Sequence, residues 1–145
     1  MKKIILSLSL FATTAIALAA SDPVVDPEIK QKFKKEFASA ENVKWSEQDN
    51  YLAVSFTIAQ TRTMAIYSKS GELISTIRDI LFDQLPLSVI TGLNKAFPDA
   101  TVSSVKEVTN DLGTTYKMNA ETKELSLKLS ADSYGNIFTE EKNKK

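Results

Sequence analysis

The chain writes one pattern twice. Residues 37–45 read FASAENVKW, and sixty residues later residues 97–105 read FPDATVSSV. Each stretch follows an apolar stripe at helical spacing and precedes alternating residues. Ile29, Phe33 and Phe37 recur every four positions, which lines one helix face. Val89, Leu93 and Phe97 repeat that stripe at an offset of 60, with Ile90 beside it. Gly71 and Gly135, in tight turns that call for positive φ, stand 64 apart. The excess points to a longer hairpin loop in the second copy, around Asn110-Asp111-Leu112-Gly113. A unit of about 55 residues buries too little surface to stand alone, so the two copies must share one body. The expected fold class is α+β. Two tandem helix-plus-four-strand repeats, residues 26–80 and 84–139, form one curved antiparallel sheet with both helices packed on one face. Residues 20–145 make a single domain.

Local signals place the elements. Asp26-Pro27-Glu28 opens the first helix with a capping carboxylate, a first-turn proline and an acid suited to the helix dipole. Lys30, Lys34 and Lys35 lie off the apolar stripe and form a solvated face. Val43 and Trp45 alternate with Lys44 and Ser46 as a short strand. Tyr51–Ile58 is the clearest strand: Leu52, Val54, Phe56 and Ile58 face the helices, and Tyr51, Ala53, Ser55 and Thr57 face away. Strands over residues 63–68 and 73–78 complete the first copy. Leu85-Pro86 opens the second helix and Pro98 blocks its continuation. Strands are expected over 102–108, 114–120, 125–130 and 137–139, with the polar tail EEKNKK frayed beyond them.

The first 19 residues read as a secretory signal peptide. Lys2 and Lys3 precede the apolar run IILSLSLFATTAIALA, and Ala17-Leu18-Ala19 suits a cleavage site. The run is short for a membrane span, so no stable span is expected after cleavage. The expected location is periplasmic or secreted.

Composition narrows the chemistry. The chain has 18 basic and 18 acidic side chains, and removing Lys2 and Lys3 leaves 16 against 18. No basic field draws it to nucleic acid. It contains no Cys and no His. That removes disulfides, thiol catalysis, His-dependent serine triads and ordinary zinc sites. No glycine-rich phosphate loop or nucleophile elbow is present. The expectation is a protein that is not an enzyme, with no cofactor and no metal. The group Asp132, Tyr134-Gly135 and Asn136 lacks the alternating oxygens of a calcium loop and reads as a hairpin turn.

Several of these segments carry a family resemblance. FASAENVKW, YLAVSF and MAIYSKSGELIST recur in outline as FPDATVSSV, TYKMNA and LKLSADSYGNIF, joined by QLPLSVITGLNKAFP. Over residues 28–139 this order resembles the PepSY-like, beta-lactamase-inhibitor-like family of small exported bacterial envelope proteins. The resemblance implies a two-layer α+β fold and an envelope location. Related names point to inhibition of a hydrolase or protease. Two positions depart from the pattern: Ser68 stands where Asp132 stands in the second copy, and Ala38 where Pro98 does.

The candidate binding surface is the sheet face away from the helices. Tyr51, Ser55 and Thr57 point there by alternation, Tyr67 is expected to join them, and Tyr116, whose strand phase reads either way, is their counterpart in the second copy. Tyrosine suits such a surface because its ring is apolar and its tip polar. The same tyrosines also serve as cross-strand packing partners. Trp45, the only tryptophan, is either an edge anchor or half-buried beside the helix end. The expected function is a non-catalytic module that binds or inhibits an envelope protein or peptide. The alternative is a small-ligand binder or envelope sensor with a cavity between sheet and helices.

Overall fold

The computed structural model describes residues 23–145, so the expected signal peptide lies outside the described residues. Helix α1 (Pro27–Glu36) is followed by strands β1 (Glu41–Glu47), β2 (Tyr51–Ile58), β3 (Thr61–Ser68) and β4 (Leu73–Ile80). A single 3-10 turn (Phe82–Gln84) leads to α2 (Leu87–Ala96). Strands β5 (Thr101–Asn110), β6 (Gly113–Glu121), β7 (Leu125–Asp132) and β8 (Ile137–Lys144) complete the second copy. All eight strands form one antiparallel meander in sequence order.

Repetition extends to single hydrogen bonds. The Phe37 amide donates to the Phe33 carbonyl at 2.8 Å, and the Phe97 amide to Leu93 at 2.8 Å. The Ala40 amide then donates to Phe37 at 3.0 Å, and Ala100 to Phe97 at 3.1 Å. Each copy thus ends its helix with the same two-bond lock. Phe37 and Phe97 are half-buried at this lock, whereas Phe33 and Leu93, one turn earlier, are buried. In α1 the deepest anchor is Phe33, four positions before the repeated phenylalanine, whereas in α2 Val89 is buried even more fully than Leu93.

Register explains why both helices cover one face. Phe56 pairs with Thr63, Thr63 with Arg78, Arg78 with Glu107, Glu107 with Tyr116, and Tyr116 with Ala131. Paired residues share a sheet face, so Phe56 beneath α1 and Ala131 beneath α2 lie on the same side. Two apolar clusters result. Val25, Ile29 and Phe33 pack with Leu52, Val54, Phe56 and Tyr67. Leu85, Val89 and Leu93 pack with Val105, Met118, Leu127 and Leu129. Between them runs a polar seam of Thr76, Thr109, Thr114 and the Arg78–Glu107 ion pair at 2.8 Å.

Two local expectations need correction. The extra residues of the second copy do not lengthen a loop. Asn110 pairs directly with Gly113 across a two-residue turn, and β5 has 10 residues where β1 has 7. The tail is also not frayed, because EEKNK forms most of the outer strand β8. Its backbone pairs with β7 from Ala131 to Leu125, and the Lys128–Glu141 contact of 2.5 Å fastens the middle.

The helix–hairpin contact is made differently in the two copies. In the first, Lys32 Nζ donates to the Gly71 carbonyl at 3.1 Å. The residue at the position of Lys32 in the second copy is Gly92, whose missing side chain lets α2 touch the Gly135 carbonyl. A Cβ on Gly92 would lie 2.1 Å from that oxygen.

Candidate functional site

The sheet face opposite the helices is uncovered, and its side chains fall into two adjoining rows. In one, Ser55, Met64, Ile77 and Val108 are direct neighbours across β2 to β5. Met64 is exposed and Ile77 and Val108 are half-buried, so this is an apolar stripe open to solvent. In the next row Asp79 pairs with Lys106 and Lys106 with Lys117. Arg62 reaches Asp79 at 3.9 Å, and Lys106 Nζ donates to Asp79 Oδ1 at 2.6 Å. A hollow of about 240 Å³ lies where the rows meet, lined by Ser55, Arg62, Met64, Ile77, Asp79 and Lys106.

The charged row is internally balanced. Lys106 and Lys117 stand directly opposite, which alone is unfavourable. Acids on either side offset it: Asp79 takes Lys106, and Glu140 accepts from Lys117 at 3.2 Å. Glu141 accepts a hydrogen bond from Lys128, which raises the ammonium pKa and lowers that of the carboxyl. All these groups are solvent-exposed, so each pair contributes little to stability.

Tyr51, Ser55 and Thr57 lie on this open face, Tyr51 exposed and the others half-buried. Tyr67 does not. It pairs with Leu52 and is fully buried under α1, where its hydroxyl donates to Glu36 Oε2 at 2.6 Å. Burial, then the Glu36 carboxylate, raise its pKa well above the usual phenol. Tyr116 is likewise buried on the helix side, paired with Ala131, and burial followed by the Glu107 charge raises its pKa. The expected open-face position of both tyrosines is corrected: cross-strand pairing puts them in the core. Trp45 also faces the helices, half-buried, its ring edge-on to Phe33 at 5.5 Å and 6.1 Å from Tyr67.

Sequence reasoning missed Met64, Ile77 and Val108. The signal for Met64 was present: TMAIYS is apolar in both phases, which requires apolar side chains on both faces of β3.

The turn at Asp132 consumes its own carboxylate. Asp132 Oδ1 accepts from the Tyr134 and Asn136 amides at 3.0 Å, and Oδ2 from the Asn136 side chain at 2.7 Å. These bonds, that of the Asn136 side chain foremost, lower its pKa. Ser68 does the equivalent work in the first copy, accepting from the Glu72 amide at 3.0 Å. Among the described residues no group of three or more acids is placed to hold a metal ion. On the helix side a hollow of about 300 Å³ opens beside the polar seam, lined by Phe37, Ile58, Thr63, Thr76 and Arg78 among others.

No protein-family model matches the chain, and no curated protein matches its sequence. Solved structures do match its fold. A candidate periplasmic protein from Bacteroides eggerthii superposes with a TM-score of 0.71 at 15% identity, covering 84% of this chain and 90% of its own. A BLIP-like protein from Bacteroides fragilis gives 0.70 at 15% identity, covering 82% and 85%. A DUF2874 family protein from Bacteroides ovatus gives 0.71 at 16% identity, covering 84% and 89%. The chain has the BLIP-like fold. Its open eight-stranded antiparallel sheet with two helices is the architecture that these structures share. No described helix is long and apolar enough to cross a membrane.

Proposed function

We propose that the protein is an exported, non-catalytic binding module of the bacterial envelope, periplasmic or secreted, that holds a protein or peptide segment against its open sheet face. The PepSY-like order of segments in the sequence and the signal-peptide pattern support the location, as does the description of the B. eggerthii protein with the same fold. The observation that carries the binding reading is the solvent-open apolar row Met64–Ile77–Val108 beside a charged row. Soluble sheets ordinarily show alternation with a polar outer face, so an apolar outer row calls for a partner. Ser55 continues that row, and Tyr51 and Thr57 lie on the same face in the rows beyond it, with hydrogen-bonding tips. A chain with neither Cys nor His has few means for group transfer, which supports a binder over an enzyme. A hydrolase inhibitor fits this reading, since the BLIP-like neighbour shares the fold.

The ligand-sensor alternative has weaker support. Arg78, the one charged residue lining the helix-side hollow, is already held by Glu107 through two nitrogens.

The test is capture from an envelope extract by the protein and by a Tyr51→Ala, Met64→Ser, Ile77→Ser variant, followed by titration of each retained protein. The expected result is a partner whose affinity falls at least tenfold in the variant. Equal recovery and equal affinity for every retained protein would count against the open face.

A further inference from the structure

The meander turns four times at one end: at 48–50, 69–72, 111–112 and 133–136. Both helices begin at that end. Gly71 lies against Ile29, and Ser88 Oγ donates to the Ser133 carbonyl at 2.8 Å. Three large apolar side chains stand out into solvent there: Leu87 at 77% exposure, Leu112 at 91% and Tyr134 at 86%. Hairpin tips favour Gly, Asn, Asp and Ser, so leucine and tyrosine at two of them do no work for the turn. The turns themselves are tied down. Asn110 Oδ1 accepts from the Leu112 amide at 2.9 Å, and Asp132 holds the Tyr134 amide at 3.0 Å. The side chains are thus presented on ordered backbone, at little entropic cost to a partner. Leu112 and Tyr134 flank a hollow of about 360 Å³ floored by Thr114 and Thr115.

Charge decides what this end accepts. The four turns and their flanks carry Asp49, Glu72, Asp111 and Asp132 against two bases: Lys69, which is already paired with Glu47, and Lys32, which donates to the Gly71 carbonyl. An anionic lipid surface is repelled by this excess. A second copy docking end to end sets the same acids against each other. We propose that the hairpin end is a second docking surface, one that takes a basic segment of a partner polypeptide with an apolar side chain seated between Leu112 and Tyr134. It is separate from the open face and does not depend on the reading given for it.

The probe is a fluorescein-labelled peptide of alternating lysine and leucine, titrated by anisotropy. The expected result is binding to the wild type that weakens at least tenfold in Leu112→Ser, Tyr134→Ser. It also weakens as salt is raised and is unchanged in Met64→Ser, Ile77→Ser. Both tip positions are solvent-exposed, and a thermal melt checks that their variant folds. A glutamate–leucine peptide and phosphatidylcholine–phosphatidylglycerol vesicles are the counter-probes, and sedimentation velocity reads self-association. The proposal is overturned if the wild type does not bind the lysine–leucine peptide, or if the tip variant binds it equally. It is equally overturned if either counter-probe binds as well, or if the wild type dimerises through the tips.

Discussion

Gly92→Ala tests the close seating of α2 on its hairpin. The new methyl would lie 2.1 Å from the Gly135 carbonyl oxygen, about 1.2 Å inside an ordinary carbon–oxygen approach of about 3.3 Å. The obstacle is backbone, and it cannot step aside. Gly135 sits at φ 89 in a turn fixed by the Asp132 carboxylate, and a Cβ on it would lie 2.2 Å from the Ser88 carbonyl oxygen. So α2 must lift off its hairpin, loosening Val89 and Leu93 above the second cluster. Overpacking of this kind costs about 1–3 kcal/mol. Alanine in a helix interior returns about 1 kcal/mol relative to glycine. The net expectation is a loss of about 1–2 kcal/mol, since two fixed backbones place the steric term at its upper end. Urea unfolding followed by far-UV circular dichroism measures it, and Trp45 fluorescence reports the first copy independently. Lys32→Ala, at the matching helix position, removes one hydrogen bond at the surface and costs less than about 1 kcal/mol. A Gly92→Ala protein as stable as the wild type, or more so, would show that helix propensity outweighs the contact and that α2 has room to spare.

Two further outcomes follow from particular residues. Tyr67 keeps its proton in the folded state beyond the pH at which the unfolded chain releases it, so its stabilising contribution is complete below about pH 10 and is lost as pH climbs through the native value. Urea midpoints measured from pH 8 to 11 are expected to fall less steeply in Tyr67→Phe than in the wild type; parallel curves would refute the buried, Glu36-bonded phenol as a source of alkaline instability. Ala59 and Gln60 both adopt positive φ, 46 and 65, in the two-residue turn between β2 and β3. Replacing them with Asn-Gly, the pair such turns prefer, is expected to raise stability by about 1 kcal/mol in thermal unfolding, and no gain would mean that the turn is unstrained.

The open face and the hairpin end differ in what they offer a partner. On the face, cations and anions are already matched: Lys106 with Asp79, Lys117 with Glu140, Lys128 with Glu141. Net affinity there has to come from the apolar row, with charge setting register. At the hairpin end Asp49, Glu72 and Asp111 make no ion pair among the described residues, so a cationic partner gains both attraction and apolar contact. Ionic strength is therefore the simple discriminator between the two surfaces.

Residue spacing alone determined the duplicated unit, the helix stripes and the helix-facing side of β2. These follow from local periodicity, which the chain carries in each segment independently of the others. The open-face expectation for Tyr116 overlooks that Tyr116, Met118 and Ala120 form the apolar phase of β6 against Thr115, Lys117 and Asn119. Tyr67 was not legible in this way, because β3 is apolar in both phases and only its pairing with Leu52 selects a side. The apolar row on the open face, the crowd of side chains at the hairpin end and the approach of Gly92 to Gly135 share that character. Each joins residues far apart in sequence, and only the register of eight strands and the seating of two helices bring such residues together.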